Sequence, residues 1–432
     1  MTINRVTKQK LSLLVNKAWF LPLIISITIN LIGGILILAS KNINGFYLSV
    51  SVESQQTIIS ITSGSLMTLI GLTFSISMLI LSTVSNQFGP RLLPNFLESR
   101  ITQTTLGFFL GTFVFSLYCI YFNSNAGTRS LQTFYVLFLT ISCLVILVIF
   151  INKVIQSIQI DYILALVIEK TKSAISLNFP KKEEMTDYIN DKSYPKAGRN
   201  KMIYSEYSGY VQGIDYDEIK KIAYDHHLKV FVLIRPGDYI YKKSPVMELY
   251  AKKSKDFESL TPSLLQKCIN VNHARLLNQD IEFGFEQIAE IAVRALSPGI
   301  NDPYTAKQSV FLLGELFLFI EQYDIEQDKL YYDKNVVGQY RGFTYKGILD
   351  TALARLRQAA TRDLTVILTI YDLVIQLSSL LNNKLMIKDL LSQANSLKEI
   401  IKNERLSKYD QDAFNERQKH LAKIENTLFN SD

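Results

Sequence analysis

Four uncharged stretches stand out in the first third of the chain, at 18–40, 54–90, 101–128 and 130–152. Each is at least as long as the roughly 20 residues an α-helix needs to cross hydrocarbon. They predict transmembrane helices near 18–39, 57–84, 104–123 and 131–152. The first is too long for the apolar core of a cleaved leader, and no small-residue cleavage pattern follows it. Beyond residue 152 the pattern changes. Val154, Ile158, Tyr162, Ala165 and Ile168 recur at helical spacing, and a polar run at 181–201 with Pro195 and Gly198 reads as a linker. Residues 203–252 change to the period of strands, interrupted by a short helix from Tyr216 to His226. From 253 to 432 helical spacing returns, with helices expected near 280–296, 303–322, 346–382 and 384–404 and a surface helix over 408–432. The expected fold is a mainly α membrane protein. Its transmembrane domain is 1–152, a connecting helix and linker fill 153–202, a small β module spans 203–252, and a helical bundle domain covers 253–432.

The second span is longer than a bilayer requires and rich in Ser and Thr. Gly64, Thr68, Gly71, Ser75, Met78, Ser82 and Ser85 follow one another at alternating steps of four and three, which places them on one helix face. Such a face lets a neighbouring helix approach closely, or, repeated around an oligomer, lines a path for water or ions. Gly107 and Gly111 form a GxxxG pair in the third span, a packing signal.

Charge fixes an expected topology. Residues 1–152 hold eight basic and two acidic side chains, whereas the other 280 hold 38 and 37. Arg5, Lys8, Lys10 and Lys17 precede the first span, Arg91 and Arg100 lie between the second and third, and Lys153 follows the fourth. The opposite side carries only Lys41 and Arg129. The positive-inside rule then puts both termini in the cytoplasm of a cell membrane. The remainder of the chain is nearly balanced, which argues against nucleic acid as a partner. No charged side chain falls within the spans, which argues against a proton-driven transporter.

In the β module, Ser208, Gly209 and Val211 open a strand, and Arg235, Pro236, Gly237 and Asp238 make a turn in which Pro presets φ and Gly permits positive φ. This order resembles the small β-barrel of biotinyl and lipoyl carrier folds. The carrier lysine turn of that fold has no counterpart here, so neither biotin nor lipoate is expected. Further on, Ser297, Pro298, Gly299, Asn301, Asp302 and Pro303 interrupt two helices. Pro298 and Gly299 stop the first, and Asp302 is placed to cap the second with Pro303 in its first turn. Asn301 and Asp302 could alternatively hold a cation or polar ligand.

Two runs, GSLMTLIGLTFSISMLILSTVSNQFGPRLL at 64–93 and FGFEQIAEIAVRALSPGINDPYTA at 283–306, resemble a family of bacterial predicted membrane proteins with a domain of unknown function, number twenty-two fifty-four. The resemblance covers most of the chain in the same order. It implies a membrane protein with a cytoplasmic domain and supplies no activity to transfer. The matching positions are Ser85, Gln87, Pro90, Arg91, Ser297, Pro298, Gly299, Asn301 and Asp302.

No phosphate-binding loop, HExxH or GxSxG motif occurs. His226 and His227 are adjacent and diverge on a helix, and the three cysteines have no paired spacing. An enzyme, a cofactor and a metal are not expected. The expectation is a homo-oligomeric channel or passive pore in the bilayer. Gly64, Thr68, Gly71, Ser75, Met78 and Ser82 would line it, with Ser85, Gln87, Arg91 and Arg100 at a cytoplasmic mouth favouring anions and the cytoplasmic domain biasing opening. A membrane-anchored scaffold or sensor without transport is the alternative, and a transporter of a small neutral solute a third.

Overall fold

The computed structural model describes residues 19–40, 50–87, 89, 100–121, 126–184, 199–251, 265–332, 335–401 and 406–429. The chain divides into two compact units, Met1–Ile163 and Leu164–Asp432.

The first unit contains α1 (Phe20–Ser40), α2 (Val52–Gln87), α3 (Arg100–Tyr121) and α4 (Ala126–Ser157). All four are long and apolar enough to cross a membrane. At 36 and 32 residues, α2 and α4 reach about 54 and 48 Å, against roughly 30 Å of hydrocarbon. Helix α3 is central and packs on the other three. Its GxxxG pair brings it close to α1. A β-carbon on Gly107 would lie 2.9 Å from Pro22 Cα, and one on Gly111 2.9 Å from Ser26 Cα, so the backbones of α1 and α3 approach as only glycine permits. Asn30 Nδ2 crosses the same seam to Gly111 O at 3.2 Å, Tyr135 donates to Ile29 O at 3.0 Å, and Gln55 donates to Gln132 at 3.2 Å. The outside is made of large apolar side chains. Leu31, Ile35, Leu79, Phe138 and Val148 are each at least 60% exposed, a surface that suits acyl chains and not water.

The second unit begins within α5 (Ile160–Asn178). Its strands are β1 (Arg199–Tyr204), β2 (Gly209–Ile214), β3 (Leu228–Val232), β4 (Tyr239–Ile240), β5 (Pro245–Ala251), β6 (Ile269–Asn272), β7 (Lys329–Tyr332) and β8 (Asn335–Tyr340). Helix α6 (Tyr216–Asp225) joins β2 to β3, capped by Asp215, which accepts from Glu218 N at 3.1 Å. Among the described residues no closed barrel forms. The strands make two open sheets, ordered β1-β5-β3-β8-β7 and β4-β2-β6. The barrel-like reading of 203–252 stops short because those strands do not close on one another. Strand β3 instead pairs in parallel with β8, Val230 opposite Gly338, and β2 pairs with β6. Strands β6, β7 and β8 come from the stretch read as helical. They are short segments whose pairing partners, more than tertiary-independent pattern, decide their conformation. A continuous core of Val211, Ile214, Ile219, Val230, Val246 and Leu249 lies beneath them.

The rest is helical: α7 (Ile281–Ala295), α8 (Pro303–Ile320), α9 (Tyr345–Ala359), α10 (Leu364–Leu380), α11 (Lys384–Ile401) and α12 (Lys408–Phe429). Helices α7 and α8 pack together through stacked Phe285 and Phe317, 5.5 Å between centroids. The single helix expected over 346–382 is two. A 3-10 turn at Ala360–Arg362 ends α9, and Asp363 starts α10 by accepting from Val366 N at 3.1 Å. Tyr371 OH to Ala394 O at 2.8 Å and the bidentate Arg417–Asp372 pair tie α10 to α11 and α12.

Candidate functional site

Among the described residues, helix α2 buries one face and leaves the other exposed. Ile59, Thr62, Leu66, Thr73, Ile80 and Val84 are among its buried positions. Gly64, Thr68, Gly71, Ser75, Met78 and Ser82 are all exposed. At about 100° per residue the two sets fall on opposite faces. Among the described residues, nothing lies within 4 Å of a β-carbon built on Gly64 or Gly71. Ile61, Met67, Phe74 and Leu79, all more than half exposed, border the stripe, so the small residues form a shallow lengthwise depression between bulky ones. Thr68 donates to Gly64 O at 3.2 Å and Ser75 to Gly71 O at 2.9 Å. The hydroxyl donors are thus satisfied inside the helix, while the oxygens keep acceptor capacity toward whatever covers the face. Among the described residues of this unit, close glycine packing falls to Gly33, Gly107 and Gly111, not to Gly64 or Gly71.

Of the expected mouth residues, Ser85 is half-buried near the end of α2, Gln87 ends that helix, and Arg100 opens α3 in an exposed position. Arg91 and Pro90 lie outside the described residues, as do Arg5, Lys8, Lys10, Lys17 and Lys41.

The loop after α7 is a capping structure. Ser297 O accepts from Ile300 N at 3.0 Å and from Asn301 N at 2.9 Å, and Asp302 N donates to Ala295 O at 2.8 Å. Asn301 adopts φ 48°, a left-handed conformation that Asn tolerates. Asp302 caps α8, accepting from Thr305 N at 3.1 Å and Thr305 Oγ1 at 2.6 Å, with Pro303 next. Pro298, Gly299 and Asn301 are exposed.

A second constellation was not foreseen as one. The turn at 235–238 meets the N-terminus of α7 through buried charge. Arg235 clasps Glu282 with two bonds of 2.8 and 2.7 Å, and Arg275 clasps Asp280 with bonds of 2.7 and 3.0 Å while also pairing with Glu286. Asp280 is 1% exposed and caps α7 through Phe283 N at 3.2 Å. Asp238 accepts from Arg235 N and from Arg341, both at 3.1 Å. The guanidinium groups of Arg235 and Arg275 lie over Phe343 and Phe283 at 4.9 Å. Burial pushes the Asp280 carboxyl up, against the pull of Arg275, and does the same to Glu282 against Arg235. Most donors here have an acceptor, although Arg235 Nε is buried without a hydrogen bond, 3.6 Å from Asp238 Oδ1; the cluster works as a rivet joining turn, strand end and helix. Its parts lie 47 positions apart in sequence; the visible signal was the Arg-Pro-Gly-Asp turn alone. Among the described residues no group of three or more His, Cys, Asp or Glu could hold a metal.

Residues 15–376 match the sequence profile of a family described as predicted membrane protein (DUF2254). The uncharacterized protein Rv1290c of Mycobacterium tuberculosis is 29% identical over 274 residues, covering 60% of this chain and 50% of that protein. The uncharacterized protein Mb1321c of Mycobacterium bovis matches to the same extent. The chain therefore spans about half the length of the curated relatives it matches. No solved structure matches.

Proposed function

The chain belongs to the DUF2254 family of predicted membrane proteins, and we propose that it acts as a homo-oligomeric passive pore lined by α2. The observation that carries this reading is the exposed stripe of Gly64, Thr68, Gly71, Ser75 and Ser82, set opposite the face that buries α2 in its own chain. Facing acyl chains, a row of glycine and hydroxyl residues gains little. Facing copies of itself around an axis, it removes the bulky side chains from the centre and presents oxygen acceptors to water or ions. The bordering Ile61, Met67, Phe74 and Leu79 would then pack between subunits.

In this reading the protein sits in the cell membrane with both termini in the cytoplasm. Arg91 and Arg100 mark the cytoplasmic mouth and favour anions, and the second unit assembles the subunits and biases opening. The absence of charge in the middle of α1 to α4 supports a passive path over a proton-coupled one. The test is ion flux from liposomes holding the purified full-length protein, with anion and cation gradients applied separately. Flux abolished by Ser75→Trp supports the pore. The competing reading is a membrane-anchored scaffold, which predicts a folded oligomer or monomer with no flux at all.

A further inference from the structure

We propose that one end of the sheets in the second unit is a docking surface for the anionic headgroup layer of a bilayer. This rests on different residues from the pore and does not depend on it.

Two turns meet at this end, 205–208 and 241–245. Ser205 N donates to Ser244 O and Lys243 N to Ser205 O, each at 2.9 Å, and Lys242 N donates to Ser208 Oγ at 2.8 Å. Ser205 Oγ donates to Tyr207 O at 2.7 Å and Ser244 N to Tyr241 O at 2.9 Å. The backbone is therefore fixed, yet what it holds outward is aromatic. Tyr207 is 67% and Tyr241 68% exposed, and Tyr204 and Tyr239 are about half exposed. Tyr210 and Tyr239 are cross-strand partners, their rings edge to face at 5.0 Å, and Tyr241 continues the row at 5.2 Å. Lys242 and Lys243 project from the same turn, and Lys267 is exposed beside Gln266, which donates to Tyr204 O at 3.0 Å. Glu206 is the acidic residue among them.

Exposed aromatic rings that are already ordered lose little entropy on binding. Tyrosine with lysine is the composition of a membrane–water interface, where the ring sits at headgroup depth and the ammonium reaches phosphate. A protein interface core would favour the tyrosines but select against the lysines. The bilayer is also the partner that is always near. Helix α4 is long enough to cross it, and α5 begins three residues after α4 ends, which holds the second unit at high effective concentration against a lipid surface. Each lysine should add about fivefold to the occupancy of the docked state on anionic lipid.

The test uses the full-length protein with Glu206→Cys carrying an environment-sensitive fluorophore; Cys119, Cys143 and Cys268 are buried, so the label is selective. The protein is placed in nanodiscs of phosphatidylcholine alone or with one third phosphatidylglycerol. The expected result is a blue-shifted emission in the anionic discs that is lost in Tyr207→Ser/Tyr241→Ser and in Lys242→Glu/Lys243→Glu. A label at Asp225→Cys, exposed at the opposite end of the sheet, should stay water-like throughout and unchanged in both variants, reporting that the fold is kept. Emission at 206 that ignores lipid composition overturns the proposal. So does a shift that follows the number of copies per disc, which would assign the surface to a second copy of the chain.

Discussion

Gly237 faces Asp280 so closely that a β-carbon on the glycine would sit 2.6 Å from a carboxylate oxygen. Gly237 also holds φ +95°, a region side chains avoid. The turn and the cap of α7 are thereby joined at a point with no room for a methyl group. Gly237→Ala should destabilise the second unit by about 1–3 kcal/mol from backbone strain alone, with the displaced carboxylate adding to it. Hydrogen exchange should show faster opening around α7 and β2, with the amides of α1 and α3 unchanged.

The Arg235–Glu282 pair is nearly buried, and removing one partner strands the other. Arg235→Ala should cost about 3–5 kcal/mol, whereas replacing both with apolar residues of similar volume should cost far less. Urea unfolding of Arg235→Ala, Glu282→Leu and the Arg235→Met/Glu282→Leu double variant decides this. A double variant as weak as the sum of the singles would mean the two residues are not coupled.

Acid should not loosen this cluster through Asp280 or Glu282. Burial, outweighing Arg275 and Arg235, raises both carboxyls above their ordinary values. The folded state then binds these protons more tightly than the unfolded chain. Their contribution to stability is lowest at neutral pH and rises as pH falls through the raised values toward the unfolded value near ~4. Measured between pH 7 and pH 5, wild type should gain stability relative to Glu282→Gln. A relative loss would mean that pairing with Arg235 outweighs burial.

Glycines of the membrane unit should divide into two classes. Gly107→Val has no space against Pro22 and should disrupt α1–α3 packing, whereas Gly71→Val meets nothing within 4 Å among the described residues of its own chain. Trypsin resistance of the monomer in detergent should fall for the first and hold for the second. If Gly71→Val also unfolds the monomer, the α2 stripe is an intrachain packing surface after all.

The membrane helices were legible because lipid imposes one rule, a long stretch without charge, that survives without tertiary context. Asp302 and Pro303 were legible for a similar reason, since capping is local chemistry. The joint between α9 and α10 was missed although Asp363 has the same chemistry, because the apolar period runs on across 360–363. The parallel β3–β8 pairing and the Arg235–Glu282 clasp were not legible, for they join positions about a hundred and about fifty residues apart, and pairing over such distances leaves no local pattern. The stripe on α2 could be read as a face, but only its position opposite Ile59, Leu66 and Val84 separates it from packing within the chain.

Ion flux from liposomes containing the full-length protein, compared with Ser75→Trp, tests the pore most directly. Wild-type protein should pass ions, more under an anion gradient than a cation gradient, and lose that flux when indole fills the stripe in an oligomer that still assembles. Flux that Ser75→Trp leaves unchanged, or a well-folded wild-type oligomer that passes no ion, would contradict it.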